Sequence, residues 1–375
     1  MLAATRLSAE EHIATAQPAT PDKRSATPAQ DGRTLRNYER FKLKLKPLAP
    51  LFNDEAVEEI MINSASEIFF ERQGQIRRYT EASLSHNDIL GAINLAATCS
   101  RTSVTMSSAE GRQGSALVYS QIDNLRVAAA IHPVAHYGNC LCIRIHRRKK
   151  RTLQNYVDDG SFEYLTKPIV RDLPRLALNA KPEAIAEFFT DLMESGASVL
   201  VSGTPSGGKS TFLDVLVGLL PKHQRVLVLE DTHEIDPTVP NRLVLISNEQ
   251  AGVSMRDLVK FSLRARPDWI VVGELRDRAA SDFLTAVNSG PKALASIHAD
   301  SPLDALRKLE ALAMQADEGI PHDAIRQQIA SCVQVVVHMA RIGPVRAPVQ
   351  ALRVMGCNKG QYITEDLFRS PNPVH

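Results

Sequence analysis

Residues 196–221 read GASVLVSGTPSGGKSTFLDVLVGLLP, and this stretch decides the fold. Within it, Gly203-Thr204-Pro205-Ser206-Gly207-Gly208-Lys209-Ser210, followed by Thr211, fits the phosphate-loop pattern G-x-x-x-x-G-K-[ST]. Glycines let the backbone turn so that several N–H groups face one point, a nest for phosphate oxygens. Lys209 is expected to bring its ammonium to the β and γ phosphates of ATP, and the Ser210 hydroxyl to hold Mg²⁺. The helix that starts here adds its positive N-terminal end. Ser198-Val199-Leu200-Val201 reads as a buried strand ahead of the loop. Phe212, Leu213, Val215, Leu216, Leu219 and Leu220 keep helical spacing behind it until Pro221. Strand, loop and helix together predict a nucleotide site.

Beyond the loop the pattern alternates. Strands are expected at 225–229, 243–246, 269–272, 293–297, 333–339 and 350–355, and helices at 255–263, 277–287 and 302–313. This is α/β patterning, with a mostly parallel sheet covered by helices and ligands at the C-terminal ends of its strands. Upstream, Ala184–Glu194 reads as a helix whose start is set by Pro182.

The N-terminal part reads differently. Residues 1–36 are rich in Ala, Thr, Pro, Gln and Ser and read as a disordered tail. Residues 37–150 then read as a smaller α+β domain with an antiparallel sheet. Its expected parts are a basic helix from Asn37 to Lys46, a short acidic helix at Asp54–Glu58 and a strand at 59–63. A hairpin across Gln73-Gly74-Gln75, a helix at 86–98 and strands at 117–119, 125–131 and 141–145 complete it. Residues 151–180 read as a linker broken by Pro168 and Pro174, and 181–375 as the phosphate-loop domain.

Length and composition agree: 375 residues can bury two cores, and 44% hydrophobic with 23% charged residues is ordinary for a globular protein. A net charge of +2 gives no sign of a nucleic-acid binder, and no basic stripe with interleaved aromatics appears. No apolar run reaches the ~18–20 residues that span a bilayer, and no secretory signal opens the chain. Five cysteines without framework spacing favour a reducing cytoplasm. Cys140 and Cys142 share one face of a strand, without a second pair for zinc, and read as buried thiols. Arg144, Arg147, Arg148, Lys149, Lys150 and Arg151 form a basic run. A solvated face beside a linker, contact with anionic lipid, or contact with phosphate each accounts for it.

Several strand ends carry chemistry. Glu230 and Asp231 follow the strand RVLVL and can hold Mg²⁺ through water or orient the attacking water. Glu274 follows WIVV and Gly273, placed to polarise water for attack on the γ-phosphate. His298 falls at the end of the strand Ala293–Ile297, on the presumed ligand edge. Arg264 and Arg266 lie on the approach to the Glu274 strand; one is expected on phosphate, the other on a carboxylate.

At this point the chain resembles a known family. Glu230-Asp231, then LRARPD at 263–268, VGELRD at 272–277 and SIHADSP at 296–302 are similar to the successive boxes of the type II/type IV secretion ATPases. LAPL at 48–51, VEEIMIN at 57–63 and IFFER at 68–72 resemble the conjugal-transfer and type IV secretion branch. The resemblance implies a RecA-like motor domain with a smaller α+β domain ahead of it. It also implies a homohexameric ring, peripheral to the cytoplasmic side of the inner membrane. There the ring works with other machine subunits to drive pilus assembly or substrate transfer. It casts Glu274 as the carboxylate that activates water with Glu230 assisting, and His298 as γ-phosphate sensor. It also sends Arg126 and Arg144 of the first domain to the nucleotide, where a positioned arginine is worth roughly 10³–10⁵ in rate.

The chain departs from the family at Ser289-Gly290-Pro291-Lys292, where Gly-His-x-Gly is usual. That departure motivates a second reading, a nucleotide-binding assembly scaffold with little turnover. A third, the pilus or type II export branch, usually carries four cysteines in the motor domain, where this chain has only Cys332 and Cys357.

Overall fold

The hairpin expected at Gln73-Gly74-Gln75 forms one edge of the first of two large sheets. The structure is a computed structural model that describes residues 32–105, 114–147, 152–158, 160, 162, 173–176, 180–316 and 319–370. The first sheet uses β1 (Val57–Ile62), β2 (Ile68–Arg72), β3 (Gln75–Tyr79), β6 (Leu117–Ile122), β7 (Leu125–Ala130) and β8 (Cys140–Ile145). Its order is β3-β2-β1-β8-β7-β6, antiparallel at every pairing. A small parallel pair, β4 (Ser103–Val104) and β5 (Gly114–Ser115), lies between β3 and β6 in the chain. Helices α1 (Gly32–Lys44), α2 (Ala49–Asn53) and α3 (His86–Cys99) accompany the sheet. A capping box between Ser85 and Asp88 starts α3.

Two local readings need correction. The acidic helix expected at Asp54–Glu58 is absent; the helix is α2, and 54–56 form a turn. The Asp54 carboxylate accepts from the Ala56 amide at 2.9 Å, a side-chain turn that competes with helix. Arg147 then takes the Phe52 and Asp54 carbonyls at 3.2 and 2.6 Å, which ends α2. Helix α1 begins at Gly32 and so includes residues read as tail; the remaining tail, 1–31, lies outside the described residues.

The second sheet uses β9 (Val199–Gly203), β10 (Val226–Glu230), β11 (Arg242–Ile246), β12 (Trp269–Val272), β13 (Lys292–His298), β14 (Val335–Ile342), β15 (Val345–Asn358) and β16 (Gln361–Arg369). The order is β11-β10-β12-β13-β9-β14-β15-β16. Pairing is parallel from β11 through β14 and antiparallel at the β14–β15–β16 meander. Strand β16 was not read from the sequence, because its polar alternation QYITEDLFR carries no apolar run.

Strand alternation splits this core in two. Leu227, Leu229, Ile270 and Val272 face helices α7 (Met255–Ser262), α8 (Ala279–Asn288), α9 (Pro302–Met314) and α10 (His322–Cys332). Val226, Val228, Trp269 and Val271 face α5 (Pro182–Glu194) and α6 (Lys209–Gly218). Between the sheets the chain contributes α4 (Leu153–Asp158). This is the RecA-like α/β architecture, with helices on both faces of a mostly parallel sheet, preceded by an α+β domain.

The first domain seals one edge of the second sheet. The Ile246 amide donates to the Val134 carbonyl at 2.8 Å and the His136 amide to the Val244 carbonyl at 3.0 Å, so β11 is no longer a bare edge. Where β10 starts, Arg225 is fully buried. Its guanidinium donates to the Ala265 carbonyl (2.8 Å), to Asn63 (2.8 Å) and Asn241, and to Cys142 Sγ (3.4 Å). Cys140 and Cys142 are both buried free thiols, and burial pushes the Cys140 thiol up to about 12.

Candidate active site

The loop between β9 and α6 owes its shape to particular glycines. Gly203 has φ +156°, and a Cβ there would meet the Met339 carbonyl of β14 at 2.5 Å, so no other residue fits. Ser206 (φ +60°) and Gly208 (φ +88°) both take the left-handed conformation that bends the loop back on itself. The first intrahelical bond of α6 runs from the Phe212 amide to the Gly208 carbonyl at 2.9 Å. Lys209, Ser210 and Thr211, whose amides precede it, line a cavity of ≈ 380 Å³. Thr204, Pro205 and Ser206 are exposed at the crest of the loop.

Across the cavity stand Glu274 and His298. The Gly273 amide donates to the Leu229 carbonyl (3.0 Å), and the Leu275 amide to the Ser296 carbonyl (2.8 Å). The Ser296 hydroxyl returns a bond to the Gly273 carbonyl at 2.5 Å. These bonds tie the end of β12 to β13 and set Glu274 beside His298. His298 Nε2 lies 3.0 Å from Glu274 Oε1, and Nδ1 lies 2.9 Å from Lys209 Nζ. An ammonium can only donate, so Nδ1 accepts and the neutral ring donates from Nε2 to the carboxylate. Lys209 also donates to the Thr204 carbonyl at 3.1 Å. The other Glu274 oxygen takes Arg276 Nη2 at 2.5 Å. A continuous polar line therefore joins the phosphate loop to the tip of β12.

The electrostatics follow from this line. Burial and the Lys209 charge lower the His298 pKa below the usual 6.5, outweighing Glu274. Burial lowers the Lys209 ammonium, against the pull of Glu274. Burial works against the charge on Glu274, but the Arg276 bond, His298 and Lys209 outweigh it and lower its carboxyl pKa. Ordinary pH thus leaves an anionic Glu274, a neutral His298 and a cationic Lys209 around one cavity.

Several expected site residues stand elsewhere. Glu230 is buried behind Glu274, its carboxylate accepting from the Glu234 and Ile235 amides (3.2–3.4 Å), with a Cβ on Gly273 only 3.1 Å from its Cγ. Burial raises its pKa. Asp231 accepts from Ser247 Oγ at 2.7 Å and faces Arg276 at 3.9 Å. Neither lines the cavity; in this structure both carboxylates hold the surrounding loops, and a contact with the metal would run through water.

Arg264 and Arg266 precede β12, and the start of a parallel strand lies at the edge away from the phosphate loop. Arg264 stacks over the Tyr119 ring (5.0 Å), and Arg266 forks onto Glu71 (2.7 and 2.8 Å) and Asp268 (2.5 Å). Arg266 thus takes the carboxylate role expected of one of the pair, and in this structure neither arginine lines the cavity. Arg126 and Arg144 are exposed and lie opposite each other on β7 and β8. Arg144 is 3.7 Å from Glu59, whose electrostatic neighbours include Arg225 and Arg266. Within one chain, then, neither arginine reaches the cavity. The unusual Ser289–Lys292 stretch ends at the start of β13, where Lys292 pairs with Trp269. That is about 20 Å of strand from His298.

The sequence reading missed Glu234, Ser296 and Arg346, all of which line the cavity. Glu234 sits in the loop that Glu230 organises; Arg346 is the second residue of β15, remote in sequence and without a motif. The Mg²⁺ that the loop implies meets suitable oxygen donors. The Ser210 hydroxyl and the Glu234 and Glu274 carboxylates share the cavity, which suits a cation that keeps much of its water. Among the described residues no three His, Cys, Asp or Glu side chains form a ready cage for a metal ion.

The family model described as Type II/IV secretion system protein matches residues 42–346. The chain belongs to that family. Relatives within it include a putative conjugal transfer protein of Mycobacterium tuberculosis, 33% identical over 224 residues. That alignment covers 58% of this chain and 57% of the relative, so the chain spans little more than half the mycobacterial protein's length. The conjugal transfer protein TrbB of Rhizobium radiobacter is 27% identical over 352 residues, covering 91% of this chain and 98% of TrbB. The type IV secretion system protein VirB11 of Bartonella henselae is 26% identical over 325 residues, covering 80% and 88%. The fold is similar to the crystal structure of the VirB11 ATPase from the Brucella suis type IV secretion system in complex with sulphate. That match has a TM-score of 0.74 at 23% identity, covering 86% of this chain and 96% of the other. Secretion-family membership and fold thus coincide with the boxes read from residues 230, 263–277 and 296–302.

Proposed function

We propose that this chain is a Mg²⁺-dependent ATPase that assembles as a homohexameric ring and powers a type IV secretion or conjugation machine. The observation that carries the reading is the Lys209–His298–Glu274 line across a cavity walled by a phosphate loop. Lys209 and the α6 amides bind the phosphates. Ser210 holds the ion, which supplies Lewis-acid polarisation of the terminal phosphate. Glu274, anionic and braced by Arg276, takes a proton from the attacking water. His298 reports a terminal phosphate because its Nδ1 shares Lys209 with any anion that enters. Glu230 assists by fixing the loop that presents Glu234.

Arg126 and Arg144 are exposed and do not line their own chain's cavity, so their proposed role at the nucleotide requires rotation of the first domain or a second copy. The TrbB and VirB11 relatives favour conjugal-transfer or type IV secretion partners; a place at the cytoplasmic face of the inner membrane is part of the proposal. No helix among the described residues is long and apolar enough to cross a membrane. Contact with anionic lipid rests on the basic run 144–151, of which 148–151 lie outside the described residues, and Arg147 is engaged by carbonyls. Vesicle co-sedimentation indifferent to salt removes that part of the proposal.

Steady-state ATP hydrolysis tests the centre of it. Lys209→Ala is expected to lose nucleotide binding and hydrolysis together, and Glu274→Gln to lose about 10²–10³ in kcat while still binding ATP. Wild-type turnover in either variant overturns the assignment.

A further inference from the structure

β14 runs parallel to β9 with Met339 opposite Gly203, so its C-terminal end emerges beside the phosphate loop. The chain then turns through Gly343 (φ +60°) and returns as β15, with Arg346 opposite Arg341. This hairpin lays the Arg346 side chain on the loop. Its Nε donates to the Ser206 carbonyl at 2.8 Å. Its aliphatic stem crosses Gly208, where a Cβ would come within 3.0 Å of Arg346 Cδ and 3.1 Å of its Cβ. Gly208 is thus favoured by its positive φ, and its bare Cα lets this arginine pack closely.

Ser206 gains as well. A serine at φ +60° is in a conformation that persists when its surroundings fix it, and the Arg346 bond to its carbonyl is such a constraint. Arg346 lines the same cavity as Lys209, Ser210 and Glu274. Lys209 already has His298, Thr204 and Glu274 in its field. Arg346, among the described residues, meets a carbonyl rather than a carboxylate. With Nε engaged, the two Nη groups of its fork remain for an anion, the geometry that suits phosphate oxygens.

We propose that Arg346 is a phosphate ligand of the nucleotide site, a cation from the C-terminal hairpin that binds the di- or triphosphate chain. Through Ser206 it also holds the loop in its binding shape. The inference rests on the nucleotide reading above and adds a residue to it. It makes occupancy of the loop a tether on the β14–β15 hairpin.

The experiment is calorimetric titration of the full chain with Mg·ADP and Mg·ATP at several salt concentrations, for wild type, Arg346→Ala and Arg346→Lys. Thermal melts run alongside. R346A is expected to bind both nucleotides about tenfold to hundredfold more weakly, with a shallower salt dependence. R346K is expected to keep the salt dependence but recover only part of the affinity, because an ammonium lacks the fork. An R346A affinity within twofold of wild type overturns the proposal. So does weakened R346A binding with unchanged salt dependence, which reduces Arg346 to a loop support. Should R346A melt below the assay temperature, R346K decides: wild-type affinity there overturns the fork. A wild type that binds neither nucleotide defeats the underlying reading instead.

Discussion

Where β10 and β12 begin, Arg225 is buried among the Asn63 and Asn241 side chains, the Ala265 carbonyl and Cys142, and Arg266 forks onto Glu71 and Asp268. Where β9, β12 and β13 end, Lys209, Glu274 and His298 face a ≈ 380 Å³ cavity with Arg346 on its rim. Both places gather cations against acceptors. At the first, the N-terminal domain closes over the sheet, and the Arg225 and Arg266 guanidiniums meet fixed protein partners. At the second, the wall is open, and cations share a space with room for an anion. The same residue types thus serve cohesion at one edge and chemistry at the other, and burial separates the two uses. Strand polarity explains the assignment: parallel strands place the loops that follow them at one edge and those that precede them at the other.

Breaking the sealed edge should have the largest effect. Arg225→Ala removes the guanidinium donors from the Ala265 carbonyl and the Asn63 side-chain oxygen in a buried contact, and leaves Asn241 Oδ1 with Asn63 Nδ2 alone. It is expected to cost about 3–5 kcal/mol in denaturant unfolding of the full chain. If it instead weakened ATP binding at unchanged stability, the contrast between the edges would fail.

Glu59 sharpens the contrast with pH. It is buried on β1, and burial, opposed by Arg144 and Arg225, raises its carboxyl from the usual 4.5 to about 7. The folded chain therefore keeps this proton to higher pH than the unfolded chain. The associated stability is complete below 4.5 and is lost as pH rises through 7, on the order of 3 kcal/mol in all. Glu59→Gln should remove that loss, so the variant should melt above wild type at pH 8 and match it near pH 4. A variant that is less stable at pH 8 would mean an ionised, paired Glu59.

The open edge titrates in the other direction. Burial and the Lys209 charge lower the His298 pKa below 6.5, so the ring protonates only as pH falls below that point. A protonated ring can no longer accept from Lys209. The acid limb of kcat/KM should lie below pH 6.5 and fall about tenfold per pH unit. His298→Gln should flatten it, and a limb unchanged in that variant would assign it to another group.

The readings that held rest on local signals. The phosphate loop was legible because its glycines and Lys209 stand at a fixed spacing, with positive φ at Gly203 and Gly208. Parallel strands were legible as apolar runs such as RVLVL and WIVV, since strands covered on both faces need no alternation. What stayed open turned on burial and on contacts that no motif names. Glu230 and Glu274 look alike as acidic strand tips; only the amides of residues 234 and 235 show that one is buried and engaged. Arg264 and Arg266 sit in a family box, yet their partners Tyr119 and Glu71 lie in the other domain.

By itself the sequence determined a phosphate loop, the alternation that builds a parallel sheet, and the acidic and histidine residues at its strand ends. These are properties of neighbours along the chain, written in spacing and residue type. Only the tertiary structure decided which of those charges meet. It buried Glu230, drew Arg266 into the domain contact, and brought Arg346 across 140 residues onto Ser206. The physical reason is that burial and pairing depend on where the sheet and the covering domain place a side chain, and no local pattern encodes that.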